Sequence, residues 1–304
     1  MSDSPIKPDP SAIGGVPKAP FVRLPNPVRL FANRARRLRL LAQSGNLASY
    51  LEFLAAIADA QGTILPALAE AAQPDPATVE RARRFDMPPI DRAAFKPDAT
   101  LRDTCRRLFA ALVSFSKPEA AEAALQHVRS ADDHALDAMI TGVLEESIPA
   151  EAVAEHVYVA AALQVHFARL AARMNGEALV PVGVGVCPVC GGKPVASLIS
   201  GWYGAEGVRY ASCMLCATLW NEVRIKCLVC SSTKGIGYQE IEGQAGTIKA
   251  ETCDECGSYV KVFYQDKDMA LEPVADDVAS LGLDQLLRES AYHRAGLNPY
   301  LIGY

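Results

Sequence analysis

The sequence predicts an α+β protein: an N-terminal all-α helical bundle, then two tandem four-cysteine modules, then a C-terminal helix packing back on the body. Three observations predict it. Up to about residue 175, apolar residues recur at steps of three and four. From Cys187 to about Phe263 the chain has short β-type runs broken by glycine and cysteine. Finally, eight of the nine cysteines stand in four Cys-x-x-Cys turns, and the last two turns repeat the first two at an offset of 40 residues.

Residues 1–20 are rich in Pro, Ser and Gly, lack an apolar stretch, and read as a disordered tail, not a secretory signal. Residues 21–176 read as the helical domain, with six or seven helices that begin with segments near 29–43 and 46–72. In "LRDTCRRLFAALVSF", Leu101, Cys105, Leu108, Leu112 and Phe115 form one buried stripe. "SKPEAAEAALQHV" follows, with Pro118 where a first helical turn tolerates it. "ADDHALDAMITGVL" offers Asp132 or Asp133 as N-cap and turns Leu136, Met139, Ile140 and Val143 inward. The helix over about 149–174 is apolar on nearly every face around Val157–Leu163, which makes it the central one, with Asn175–Gly176 as its C-cap. The two modules are assigned to 177–226 and 227–272. Region 273–304 carries a helix over about 277–294, with Val278, Leu281, Leu286 and Leu287 for packing.

The turns are Cys187/Cys190, Cys213/Cys216, Cys227/Cys230 and Cys253/Cys256. In such a turn both sulfurs aim at one point while the following backbone N–H groups can hydrogen-bond to them. Gly191 and Gly257 supply a left-handed residue after the second cysteine; Ala217 and Ser231 stand at the equivalent places of the other two turns, which read as less regular. A duplicated unit should be complete in itself, so the repeat favours two tandem sites over a cross-brace or a nested arrangement. Units this small bury too little apolar surface, and a structural metal worth about 10–16 kcal/mol would compensate. Four thiolates in a tetrahedron suit zinc or a single iron, and spacing does not separate them. "CPVCG" resembles a rubredoxin knuckle, the modules read as rubredoxin-like or zinc-ribbon units, and Trp202, Tyr203, Tyr210 and Trp220 either shield a reducible centre or simply pack.

Little else points to chemistry. Cys105 lies on a buried stripe, the five histidines (His127, His134, His156, His166, His293) form no ligand pair at helical spacing, and no phosphate-binding loop or nucleophile elbow occurs. The chain therefore reads as a non-enzyme. Its formal charge is −5. Between Cys187 and Cys256 six basic residues face seven acidic ones, which argues against nucleic-acid binding. No run is apolar and long enough to insert in a membrane, and paired cysteines suit a reducing cytoplasm. "RLPNPVRLFANRARRLRL" carries Arg23, Arg29, Arg34, Arg36, Arg37 and Arg39 without an acidic residue; it is either a solvated face or a dock for an acidic partner.

The helical N-terminal region, the four cysteine turns, the "CMLCATLWNEVRIKCLVC" join and the ending "AYHRAGLNPYLIGY" together resemble the FdhE family of formate dehydrogenase accessory proteins. The resemblance implies a cytoplasmic maturation factor for the catalytic subunit of a respiratory molybdenum or tungsten formate dehydrogenase, outside the finished enzyme. It implies rubredoxin-like iron, with zinc as the alternative, at Cys187, Cys190, Cys213, Cys216, Cys227, Cys230, Cys253 and Cys256. A homodimer is compatible with it.

Overall fold

The computed structural model describes residues 19–243 and 245–301. The expected tail at 1–20 lies outside it except for Ala19 and Pro20, as do the last three residues of the C-terminal motif. The described chain opens with a two-residue strand, β1 (Val22–Arg23), inside the region expected to be all-helical. Seven α-helices follow: α1 (Pro27–Leu41), α2 (Ala48–Ile64), α3 (Pro76–Arg84), α4 (Ala99–Ala111), α5 (Glu119–Ser130), α6 (Asp133–Leu144) and α7 (Val153–Ala172). Caps explain several starts. Asn26, Asp75, Asp98 and Asp132 each accept a hydrogen bond from the backbone N–H three residues on, and Pro follows at N1 in α1 and α3.

The expected stripe is buried at Leu101, Cys105, Leu108 and Leu112, and Phe115 packs against the core from beyond the helix end. α7 is central: every residue from His156 to Ala168 is buried. Some boundaries differ. α2 stops at Ile64, where Pro66 restricts the chain to one 3₁₀ turn (Leu65–Ala67). α7 ends at Ala172 with Arg173 as its C-cap, and Asn175 caps a separate 3₁₀ turn, its side chain accepting from Glu177 N; Asn175–Gly176 is thus not the C-cap of α7.

The remaining strands are β2 (Pro194–Ile199), β3 (Arg209–Cys213), β4 (Leu219–Glu222), β5 (Ile236–Gln239), β6 (Ile248–Cys253) and β7 (Ser258–Tyr264). After them come α8 (Pro273–Ala279), α9 (Leu281–Arg288) and β8 (His293–Arg294). Displacing β2, β3 and β4 by the 40-residue repeat lands on β5, β6 and β7. Each unit is therefore one antiparallel three-stranded meander. The units join edge to edge, β2 running parallel to β7, to give one sheet in the order β1-β4-β3-β2-β7-β6-β5. β8 continues the same edge of β7 at Ser258 and Tyr259.

The C-terminal helix is two helices, starting earlier than expected and broken at Ser280. Val278, Leu281 and Leu287 are buried as expected, but Leu286 points to solvent at 63% exposure. α8 packs on α1 and β2. The arginine run explains part of that docking. Arg34 pairs with Glu272 at 3.0 Å, and Arg37 pairs with Asp276 at 2.7 Å and Asp268 at 3.2 Å. Three of the six arginines thus find an acidic partner within the chain: Arg39 at Asp59, and Arg34 and Arg37 at residues more than 230 positions away.

Candidate metal centres

Each Cys-x-x-Cys turn is closed by its own backbone. The N–H of Gly191, Ala217, Ser231 and Gly257 donates to the carbonyl of Cys187, Cys213, Cys227 and Cys253 at 2.9–3.1 Å. All four residues have a left-handed backbone, with φ of +73°, +57°, +64° and +65°. The turns with Ala217 and Ser231 are therefore as regular as the glycine turns. They adopt that geometry at a steric cost that glycine avoids.

The strands bring the turns together two by two. Cys187, Cys190, Cys213 and Cys216 form one group and Cys227, Cys230, Cys253 and Cys256 another, with sulfurs within 4.8 Å of one another in each. The closest pairs are Cys187–Cys216 at 3.5 Å, Cys190–Cys213 at 3.4 Å, Cys227–Cys256 at 3.6 Å and Cys230–Cys253 at 3.7 Å. Each unit closes on itself; the chain is not cross-braced. A tetrahedron of four sulfurs about 2.3 Å from a zinc ion has edges of about 3.8 Å, so the donor sets fit a four-thiolate ion with little adjustment.

The surroundings hold the sulfurs in place. Thr218 Oγ1 lies 3.1 Å from Cys216 Sγ, Ser258 Oγ lies 2.9 Å from Cys256 Sγ, and Val229 N donates to Cys227 Sγ at 3.3 Å. Ionisation is uneven within each group: burial pushes the Cys187 and Cys253 thiols up, and hydrogen bonds with the neighbouring sulfurs push Cys190 up. Hydrogen bonds with Cys187, Cys190 and Cys216 hold the Cys213 thiol well below the usual thiol range. In the second group burial opposes ionisation, but the Ser258 hydroxyl and N–H bring Cys256 down to about 7. Thr218 and Ser258 escaped the sequence reading, although they stand 40 residues apart and the repeat itself could have identified them.

The two groups differ in cover. The first is part of the main apolar core and its cysteines are 0–1% exposed. The segment Pro88–Arg92, between α3 and α4, lies over its first turn: Ile90 N donates to Val189 O at 2.9 Å and Arg92 N to Cys190 O at 3.1 Å. Gln164 of α7 holds the second turn through Met214 O at 3.2 Å. A Cβ at Gly192 would sit 3.1 Å from Cys213 Sγ and 3.4 Å from Cys190 Sγ, so any larger residue there crowds the sulfurs. In the second group Cys227 and Cys253 are buried, Cys256 is half-buried and Cys230 is exposed.

The other singled-out residues lie elsewhere. Cys105 is a core residue whose thiol burial pushes up to about 12. His166 is buried between Phe95 and Phe167, His156 bonds to Ala152 O, and His127 faces Glu155. Arg23 stacks on Trp202, Trp202 packs on Tyr210, Tyr210 donates to Pro20 O and Trp220 to Glu222, while Tyr203 is exposed. These aromatics fasten β1 to the sheet, which is ordinary packing. Among the described residues no helix is long and apolar enough to cross a membrane.

Comparison with known proteins gives concordant matches along the chain. Models of the FdhE N-terminal, central and C-terminal domains match residues 19–184, 186–224 and 225–301. A protein from Rhizobium meliloti (strain 1021) named "Protein FdhE homolog" is 54% identical over 307 residues, covering all of both chains. A protein of the same name from Proteus mirabilis is 35% identical over 93% of this chain and 91% of that protein. The crystal structure of the FdhE protein from Pseudomonas aeruginosa superposes with a TM-score of 0.84 at 32% identity, covering 94% of this chain and 99% of that one.

Proposed function

The chain belongs to the FdhE family, and from that membership we propose that it is a maturation factor. In this reading it is a non-enzymatic accessory protein that binds the catalytic subunit of a respiratory formate dehydrogenase in the cytoplasm and is needed for its activity. One observation carries the reading. The family is that of the formate dehydrogenase accessory proteins by name, and 54% identity to a member extends over the full length. The cysteine groups support a metal-containing recognition module, each holding one ion through four sulfurs, iron in a rubredoxin-like setting or zinc. Bound there, the ion would crosslink the two cysteine turns of its unit, and iron would add a one-electron couple.

Deleting the gene and measuring formate-dependent dye reduction tests the proposal. Activity should be lost and restored by the wild-type gene, but not by variants lacking both cysteine groups; full activity in the deletion strain refutes the reading. The second reading is a rubredoxin-like redox protein that passes electrons to a partner. The exposed Cys230 favours it, because it brings one sulfur to the surface. A reversible Fe(III)/Fe(II) couple in the purified chain would select it, and zinc alone in the purified chain would exclude it.

A further inference from the structure

We infer that the two four-cysteine centres are unequal: the second is the exchangeable one, opening through Cys230, while the first keeps its ion for as long as the chain stays folded. The inference rests on the reading that each group holds an ion.

The repeat supplies an internal control. Cys190 and Cys230 are equivalent positions, each the second cysteine of a unit's first turn and each followed by a left-handed residue. They differ in what lies over them. Cys190 is fully buried, and Arg92 N holds its carbonyl. Cys230 is exposed, beside exposed Val229 and Thr233. The sulfurs facing them, Cys213 and Cys253, are both buried, but the last cysteine of each unit differs in the same sense as Cys190 and Cys230. Cys216 is 0% exposed, whereas its equivalent Cys256 is half-buried and follows the exposed Asp254 and Glu255.

Reaching the first centre means breaking the Ile90–Val189, Arg92–Cys190 and Gln164–Met214 hydrogen bonds and parting a core shared with α7. Such an opening approaches global unfolding, whereas Cys230 can be attacked with the fold intact. The chemistry is then local. With iodoacetamide, Cys230 Sγ forms a bond to the reagent's CH₂ carbon as the carbon–iodine bond breaks and iodide leaves. The product is a neutral thioether, a much poorer ligand than a thiolate. Three thiolates remain, and a chelator can take the ion from them.

The test uses the full chain loaded with two equivalents of zinc and exposed to iodoacetamide in the presence of a colorimetric zinc chelator. Released zinc, labelled cysteines by peptide mass and helical circular dichroism are followed together. One equivalent should leave while helicity is intact, with Cys230 labelled first. The other should leave at least about tenfold more slowly, as helicity is lost. Loss of both ions at one rate, or labelling of Cys190 as early as Cys230, overturns the inference while leaving two bound ions in place. A chain that takes up no zinc or iron at all instead sinks the metal reading, and this inference with it. A Cys230→Ala variant should retain the slow ion and release the other to chelator without alkylation; loss of both ions from that variant would contradict the proposed division.

Discussion

Replacing Arg209 with methionine probes how the two repeat units hold each other. Arg209 belongs to the first unit, and its side chain is fully buried. It donates to Glu251 Oε1 in the second unit at 2.7 Å, to Ser197 Oγ at 3.1 Å, and to the carbonyls of Arg224 and Lys226 at 3.1 and 3.0 Å. Those carbonyls lie in the join between the units, so one guanidinium ties both meanders and their connection. Methionine keeps the apolar stem and removes every donor. Glu251 would then keep the Tyr238 hydroxyl at 2.9 Å, but no cation. Breaking a buried pair from one side costs about 3–5 kcal/mol, and orphaned carbonyls add about 1 more, so the expected loss is about 4–6 kcal/mol. Removing the carboxylate charge as well, in Arg209→Met/Glu251→Gln, should recover about 2–3 kcal/mol of it. The assay is urea unfolding of the full chain at fixed excess metal, with midpoints compared at unchanged slope. A loss below about 1 kcal/mol, or a double variant no more stable than the single, would refute the view that this pair fastens the units.

Two further outcomes follow from single residues. Ala217→Gly and Ser231→Gly should each stabilise the chain by about 0.5–1 kcal/mol, because relief of the left-handed strain outweighs glycine's greater freedom when unfolded. The gain should be larger at Ser231, whose buried hydroxyl has no partner, and a thermal shift downward in either variant would count against the strain argument. Burial holds His166 down to about 4 from 6.5, helped by Arg169 and opposed by Asp98. Its contribution to stability is fully present above pH 6.5. It is lost as pH falls from 6.5 through 4, because the unfolded chain takes the proton first, at a cost of about 3 kcal/mol. The stability difference between wild type and His166→Phe should change by about that amount across this window; superimposable pH profiles would exclude the effect.

The cysteine repeat was the most legible part of the chain, because a 40-residue period with identical ligand spacing leaves few ways to group eight sulfurs. Helices with a regular apolar stripe, such as α4, were equally clear. α3 went unseen since "PATVERARR" buries only Ala82 and so carries no stripe. Other features depend on partners distant in sequence. Nothing in β2 or β7 announces that they pair in parallel. Pro88–Arg92 gives no sign that it roofs a cysteine turn, and Arg34 and Arg37 look like a solvated face until Glu272 and Asp276 arrive. The helical break at Ser280 is set by tertiary bonds too: Ser280 O and Oγ both accept from buried Lys261.

The pairing of β1 with β4 also has a consequence for synthesis on the ribosome. Val22 is among the first described residues to be made, yet its partner Trp220 comes about 200 residues later, a wait of roughly 10–40 s at usual elongation rates. The first unit's sheet therefore cannot be finished until β4, at Leu219–Glu222, has been made. The roof and the wall of the first centre, Pro88–Arg92 and Gln164, are both translated before Cys187. They stand ready to close over the site as soon as Cys216 emerges. Asn298 and Tyr300, translated after both cysteine units, reach back to Asp277 and Gln164. Order of translation thus sets the order in which the cysteine groups can close: the first around chain already made, the second only after Cys256 has been added.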